Sequence, residues 1–418
     1  MTKEAIPVIL ADSELRSQEG LLASFGIRRI PIIALSSVSN STAFKSRFVS
    51  KSVISPSVEK GKEYIKFLLD LPYRGVLIYS GDISAELISE SQAELIHGGY
   101  SLNIAELDTF EKVFDKWQCY TYCKSIGINT PQSFLADTIE NTEKGWKALS
   151  ENCIIKATRL AGGIYRKVEN KNNLESNYKE MENIISSPQN KYRKSSLMTQ
   201  EVIECGIRDI WCSESLYNKR GECAGVLCIQ KIRTCFNSDG TFGSRLYVGK
   251  VIGNRRLEEL TKKLLNNLHW KGFVHLDWIF SKKEQDYFLT DFNPRLPGFS
   301  NLLFRSGFDI GYGYYADLLN LPTSVTTKKC IYFECFRVPG DISGGIGAIA
   351  KKRITLKEFI FPYFYISNPN YKKVFDVFML EDPLYTFLSW CKDTSSFLIR
   401  KFGRISKLLT RTQRKSKL

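Results

Sequence analysis

The sequence predicts a protein of mixed class, α/β and α+β: a parallel α/β domain at the N-terminus, then a larger body of antiparallel strands and helices. Three observations carry this expectation. Across residues 6–97, short apolar runs alternate with stretches of helical spacing, the pattern of a parallel sheet with crossover helices. From Cys153 to Arg233 the pattern changes to strands with alternating apolar positions, separated by glycine-containing turns. Lys271–Ser300, KGFVHLDWIFSKKEQDYFLTDFNPRLPGFS, reads as a hairpin. Its first run is Phe273–Phe280, its polar turn Ser281–Gln285 and its second run Asp286–Phe292; Pro294 and Pro297 end the pairing.

Composition narrows the function classes. A chain of 418 residues with 43% hydrophobic side chains can build two or three domains around a large core. A net charge of +15 asks for an anionic partner: a nucleotide, a nucleic acid, an anionic lipid or an acidic sugar. Eleven cysteines without a Cys-x-x-Cys pair argue against a disulfide scaffold and for a reducing compartment. Cys119 and Cys123 lack a second ligand pair, so core packing is expected of them. The start, MTKEAIPVILADSE, lacks a long apolar region, and no run of about 18 apolar residues follows. A cytoplasmic protein, at most peripheral at the inner face of a membrane, is expected. Only His97, His269 and His275 are present, none in a nucleophile motif. The chemistry must rest on carboxylates, lysines and arginines.

In chain order, Ile6–Leu10, Arg29–Leu35 and Gly75–Tyr79 are expected strands. Ser13–Ser24 is an expected helix stopped by Gly26, and another runs from Ser80-Gly-Asp82 to about His97. No Gly-x-Gly-x-x-Gly follows the first strand, so no dinucleotide site is read. This layer reads first as scaffold, with a share in binding a second substrate left open. Phe110–Ile126 is expected as one helix ended by Gly127 and Pro131. Cys153–Lys156 is a strand leading through Gly162 and Gly163 to a second strand at Tyr165–Val168. Paired glycines there suit a loop whose N–H groups close over phosphates, a weak signal taken alone. Leu197–Ile203 reads as a strand continued by Arg208–Leu216. Gly225–Arg233 alternates, so Lys231 and Arg233 share a face before the turn Asn237–Gly240. That strand reads equally as a solvated edge guarded by lysine. Leu257–Leu268 is an amphipathic helix.

In the hairpin, residues two apart share a face, so Asp291 and Asn293 are expected to point one way, with Arg295 past the end of the pairing left open, and Asp277 meets them from the partner strand. Two carboxylates and an amide oxygen are hard ligands suited to Mg²⁺, or to Mn²⁺. Arg295 could hold an anion beside such an ion. From the residues alone, a surface hairpin with scattered charges is an equal reading.

Beyond Leu319 the pattern loosens. Pro322–Thr327 is an expected linker, Ile331–Pro339 a strand and Gly340–Gly347 a glycine-rich loop. From Arg400 to Leu418 there are eight Lys or Arg and no acid, with Phe397, Leu398, Phe402, Ile405, Leu408 and Leu409 at helical spacing. The tail 395–418 reads as a basic amphipathic segment for an anionic membrane surface or polyanion, and equally as a disordered basic tail.

Gly272-x-x-x-x-Asp277 followed by Asp291-Phe-Asn293-Pro-Arg295 resembles the metal-binding end of the ATP-grasp superfamily, in the carboxylate–amine ligase branch with D-aspartate ligase-like and carbamoyl-phosphate-synthase-like proteins. The usual form has Glu where this chain has Asp277 and Asp291, so the charge is kept on an arm one methylene shorter. The resemblance covers roughly Ile6 to Asp317 and implies a division into a pre-ATP-grasp domain (1–109), an ATP-grasp domain (110–320) with nucleotide between two α+β subdomains, a C-terminal extension (321–394) and the tail. It implies ATP as the nucleotide. Lys116, Lys156 and the Gly162–Gly163 flap would attend its phosphates, Glu201 and Ile203 its adenine, and Asp209 its ribose. Asp277, Asp291 and Asn293 would be metal ligands, and Lys231, Arg233 and Arg295 would stabilise the transferring phosphoryl and the acyl phosphate. The implied reaction joins a carboxylate to an amine through an acyl phosphate. Amino-acid attachment to a uronic-acid-containing envelope polysaccharide precursor is the specific expectation; a soluble peptide ligase and a non-catalytic basic binding protein are the alternatives. Nucleic acid is the weakest partner, since no recognised nucleic-acid motif accompanies the charge.

Overall fold

The computed structural model describes residues 5–159, 164–187, 195–236, 242–322, 332–336, 338–352, 354–364, 371–375 and 379–392. Gly162 and Gly163, the Asn237–Gly240 turn, all but the first residue of the Pro322–Thr327 linker and the tail 395–418 lie outside them. Among the described residues no helix is long and apolar enough to cross a membrane.

The N-terminal layer is a four-stranded parallel sheet. Val76–Ile78 and Ile32–Ser36 flank Val8–Leu10, and Val49–Ile54 lies outside Ile32–Ser36. The three strands Val8–Leu10, Ile32–Ser36 and Val76–Ile78 are buried runs of Val, Ile, Leu and Ala, as strands covered on both faces must be. Val49–Ile54 carries Ser and Lys on an exposed edge, so it had no apolar run to announce it. The first long helix is Glu19–Ile27. Gly26 does not stop it; the glycine leaves room for the Phe48 ring, which a Cβ would strike. The helix expected from Asp82 to His97 is two, Asp82–Glu90 and Gln92–His97, parted at Ser91.

Phe110–Ile126 is also two helices, Leu107–Phe114 and Lys116–Ser125. Asp115 between them is extended (φ −86°, ψ 118°), and its carboxylate accepts the Gln118 N–H at 3.0 Å. That cap breaks the apolar stripe into two segments and makes Lys116 the first residue of a helix.

Two antiparallel sheets follow. The small one runs Ser133–Leu135, Leu197–Glu201, Cys153–Ala157, Tyr165–Val168 in spatial order. With helices Ile139–Ala148 and Lys171–Ile185 it encloses its own core around Trp146, Ile155 and Met181. The large sheet has seven strands in the order Asp286–Asn293, Gly272–Ser281, Ile210–Tyr217, Cys223–Phe236, Phe242–Val251, Tyr332–Phe336, Tyr371–Phe375. All neighbours are antiparallel except the last pair. The expected continuation of Leu197–Ile203 into Arg208–Leu216 is corrected: the chain leaves the small sheet after Glu201, makes a 3-10 turn at Ile207–Asp209 and enters the large sheet at Ile210. Gly340–Gly347 is not a loop but part of the helix Val338–Ala350. Gly345 gives that helix a flat spot for the Phe359 ring of the next helix, Leu356–Phe364, so packing overrides the low helix propensity of glycine.

The large sheet and the N-terminal layer share one continuous core, whereas the small sheet keeps a separate one. Tyr315 donates to the Ile6 carbonyl at 2.7 Å, Gly20 N–H donates to Ser300 Oγ at 2.9 Å, and Asn103 N–H donates to Tyr314 Oη at 2.7 Å. Gly272 opens the hairpin at this junction with φ +84°, and a Cβ there would stand 2.6 Å from the Asn103 carbonyl oxygen. Gly272→Ala therefore adds both backbone strain and a clash, and is expected to cost about 2 kcal/mol or more of stability, read as a shift in the urea midpoint.

Candidate active site

The hairpin pairs Asp277 with Asp291 and His275 with Asn293, with a register shift just after Asp277. The next strand sets Cys212 beside Asp277 and Glu214 beside His275. Cross-strand neighbours share a face, so one face of the sheet carries Asp291, Asn293, Asp277, His275, Cys212 and Glu214. The strand beyond pairs Gln230 with Trp211, which puts Lys231 on the same face.

Both oxygens of Asp277 are held by cationic groups. Lys231 Nζ lies 2.5 Å from Oδ1, and His275 Nε2 lies 3.2 Å from Oδ2. The other ring nitrogen of His275, Nδ1, is 2.5 Å from Glu214 Oε1. Glu214 is fully buried, and burial pushes its carboxyl up while His275 opposes the rise. Burial alone would lower His275; the carboxylates of Glu214 and Asp277 overcome it and raise the imidazole to about 9. Burial likewise works against an ionised Asp277, but Lys231 and His275 hold its carboxyl well below the usual carboxylate range.

The small sheet and the helix Lys116–Ser125 bring the other lysines. Lys116 Nζ is 3.1 Å from Asp291 Oδ1. A lysine at a helix N-terminus opposes the helix dipole, and the Asp291 carboxylate offsets this. Lys156 lies near the end of its strand with Nζ 3.2 Å from Tyr120 Oη. Burial, and then the charge of Lys116, lower Lys156 to about 7, with Asp291 pulling the other way. Tyr120 in turn donates to the Thr290 carbonyl at 2.6 Å, tying this corner to the hairpin. Lys116, Lys156, Lys231, Asp277, Asp291 and Asn293 thus gather at the hairpin from both antiparallel sheets.

Other expected residues are engaged elsewhere. Arg295 Nε donates to Asp82 Oδ1 at 2.6 Å, Nη1 to the Leu296 carbonyl at 3.1 Å, and Nη2 to Asn293 Oδ1 at 3.4 Å. It bolts the hairpin to the helix Asp82–Glu90 and orients the Asn293 amide. Arg233 turns to the C-terminal extension, donating to the Phe359 carbonyl at 3.1 Å with its guanidinium 4.9 Å from the Phe359 ring centroid. Glu201 accepts the Gln132 N–H at 2.6 Å, and Ile203 is half-buried. Asp209 accepts the Gly206 N–H at 2.7 Å and pairs with Lys282 at 3.0 Å. Sequence reasoning does not reach Glu214, Asp82 or Tyr120, and it assigns His275 no role. Glu214 alternates correctly within its strand and lies two residues from Cys212, but only strand order shows that it faces His275.

Asp277, Asp291 and Asn293 are three hard oxygen donors on one face, ringed by lysines that now stand against the carboxylates. This donor set fits Mg²⁺ or Mn²⁺ carrying phosphate oxygens. A separate cavity of about 490 Å³ is lined by Glu86, Glu90, Glu111, Asp115, Trp117 and Arg159 among others. Arg159 there pairs with Glu86, Glu111 and Asp115.

No protein-family model and no curated protein matches the chain by sequence. Solved structures are similar in shape. N5-carboxyaminoimidazole ribonucleotide synthetase from Thermus thermophilus matches with TM-score 0.56 at 14% identity, over 77% of this chain and 80% of that one. The biotin carboxylase domain of Hydrogenobacter thermophilus 2-oxoglutarate carboxylase, solved with MgADP, ADP and bicarbonate, matches with TM-score 0.62 at 14% identity, over 78% and 73%. Biotin carboxylase from Campylobacter jejuni, in a β-γ-ATP complex, matches with TM-score 0.59 at 14% identity, over 77% and 73%.

The buried histidine makes stability depend on pH. The unfolded imidazole titrates near 6.5 and the folded one near 9. The stability His275 contributes is therefore full below pH 6.5 and lost as pH rises towards 9. The stability gap between wild type and His275→Gln, measured by urea unfolding, is expected to shrink across that window by on the order of 3 kcal/mol.

The likeness is one of fold: this chain's parallel N-terminal layer, small antiparallel sheet and large seven-stranded sheet are arranged as an ATP-grasp fold.

Proposed function

We propose that the protein is an ATP-dependent ligase joining a carboxylate to an amine through an acyl phosphate. One observation carries the reading: Lys231 and Lys116 stand against the two carboxylates of a single hairpin face, and Lys156 of the small sheet lies within the field of Lys116 and Asp291. The neighbours in shape include proteins solved with ADP, MgADP or an ATP analogue, which supports ATP as the nucleotide here.

In this reading Lys116 and Lys156 bind the phosphate chain. Lys116 exchanges Asp291 for phosphate oxygen, and Lys156 regains its proton as it does so. Lys231 neutralises the charge that builds on the transferring phosphoryl group. Asp277, Asp291 and Asn293 would hold Mg²⁺, which supplies further neutralisation of the triphosphate. Arg295 acts by position, keeping the Asn293 oxygen aimed and the N-terminal layer locked to the hairpin. The substrate carboxylate attacks the γ-phosphorus and ADP leaves; the amine then attacks the acyl carbon and phosphate leaves. The chain needs no covalent nucleophile, since placement and charge neutralisation carry such transfers.

The net charge of +15 and the basic segment 395–418 favour a large anionic or lipid-linked acceptor at the inner face of a membrane. A uronic-acid-containing polysaccharide precursor that receives an amino acid meets that description.

The test is ADP formation with Mg²⁺ over a library of carboxylates, including uronic acids, crossed with amines, including free amino acids. Asp291→Asn is expected to lower the rate by about a hundredfold or more. No substrate-dependent ADP from any pair would reject the ligase reading. Nucleotide binding carries its own signature. Because Lys156 titrates near 7 in the empty cleft, a bound triphosphate should raise it and draw in a proton near neutral pH. Calorimetry in buffers of different ionisation enthalpy is expected to show this uptake in wild type and its loss in Lys156→Met.

A further inference from the structure

The chain ends its described course with a helix at 383–392 whose two sides differ sharply. Asp382 caps it, accepting the Tyr385 N–H at 3.2 Å, and Pro383 stands in the first turn, where a missing N–H costs nothing. The inner side is polar and fixed to the N-terminal layer. Asp382 accepts Ser46 Oγ at 2.6 Å and the Arg47 N–H at 2.9 Å, and Ser389 Oγ donates to Glu19 Oε1 at 3.2 Å. Glu381, just before, forks onto Arg305. Tyr385, Thr386 and Ser389 are buried there. The outer side is apolar: Leu384 is 60% exposed, Phe387 59% and Trp390 38%, and Leu380 in the turn before the helix is 87% exposed.

Single exposed apolar side chains are ordinary, but three large ones at 384, 387 and 390 recur at helical spacing and form a stripe. The inner contacts fix which side of the helix faces out. Both carboxylates of the segment are spent inward, on Arg305 and on the Ser46–Arg47 corner. From Pro383 to Lys392 the sequence contains no acid. Eight Lys or Arg and no acid then lie between Arg400 and Leu418.

We propose that this outer row is the apolar half of a docking surface for an anionic lipid bilayer, seating Leu384, Phe387 and Trp390 at the headgroup boundary while the basic sequence that follows meets the lipid charge. A bilayer is favoured over a protein because the charge that follows is nearly uniform: Asp393 is the one acid after Asp382, against Lys392 and the eight cations from Arg400 on, whereas a surface matched to a mixed-charge partner would interleave the two signs. Phe and Trp are side chains that settle at that boundary. The proposal extends the placement at an anionic surface given above and is independent of the ligase chemistry.

The test uses full-length protein floated with vesicles of phosphatidylcholine alone or of phosphatidylcholine with phosphatidylglycerol. Wild type is expected to float with the second and not the first. Leu384→Ser/Phe387→Ser, exposed positions that leave the inner contacts intact, should keep the wild-type melting temperature and lose at least tenfold in partition to anionic vesicles. Brominated lipid should quench Trp390, a signal that Trp390→Phe removes. Equal partition of the double variant and wild type, or no Trp390 quench, overturns the proposal. So does a wild-type dimer that the double variant dissolves without lipid, since the row would then belong to a second copy. A variant with Arg400, Lys401, Arg404 and Lys407 all changed to Gln separates the two ideas. If it alone abolishes flotation while the double variant floats normally, charge anchors the protein and the apolar row does not.

Discussion

The site depends on how one carboxylate is kept ionised inside a sheet. Desolvation works against an ionised Asp277, and a protonated Asp277 could not anchor Lys231 as a salt bridge. It stays charged because Lys231 grips one oxygen and a protonated His275 the other. His275 in turn stays protonated because Glu214, deeper still, takes its second ring nitrogen. Lys231, Asp277, His275 and Glu214 form one chain of contacts through the sheet, and removing a member would leave its neighbour buried without that partner.

Two structural decisions bring the remaining lysines to that place. Asp115 interrupts what would be a continuous helix, and the new helix begins with Lys116 facing Asp291. The strand Cys153–Ala157 delivers Lys156 to Tyr120 on that same helix, and Tyr120 is fastened to the hairpin backbone. The helix Lys116–Ser125 is thus the part that registers one sheet against the other. Gly272 and Arg295 set the remaining side of the frame, where the N-terminal layer meets the hairpin.

Much of the fold was legible because its strands keep a clean period. The hairpin bounds, the strands at Cys153 and Gly225 and the amphipathic helix before the hairpin all match their apolar patterns. What could not be read was set by tertiary partners. The Asp115 cap looks like one more acid on a helix. The edge strand Val49–Ile54 has too few apolar residues to stand out, and Gly345 reads as a loop residue until the Phe359 ring is seen against it. The site shows the same division. Spacing alone placed Asp277, Asp291 and Asn293 together. It said nothing of Glu214, whose relation to His275 exists only because the strand Ile210–Tyr217 inserts beside the hairpin out of sequence order.

Arg233 shows how the C-terminal extension enters the chemistry of the fold. Sharing a strand with Lys231 suggested two cations for one phosphate group, but the ladder between Cys223–Phe236 and Phe242–Val251 shifts register just after Lys231. A bulge re-aims the side chains beyond it, and Arg233 goes to the Phe359 ring and carbonyl instead. The extension reaches that point because Tyr332–Phe336 and Tyr371–Phe375 continue the large sheet, covering an edge that would otherwise stand open. From there the chain turns back to the N-terminal layer through Asp382 and Ser389. The same extension therefore covers one sheet edge, engages Arg233 two residues from Lys231 and fixes the outward helix to the N-terminal layer.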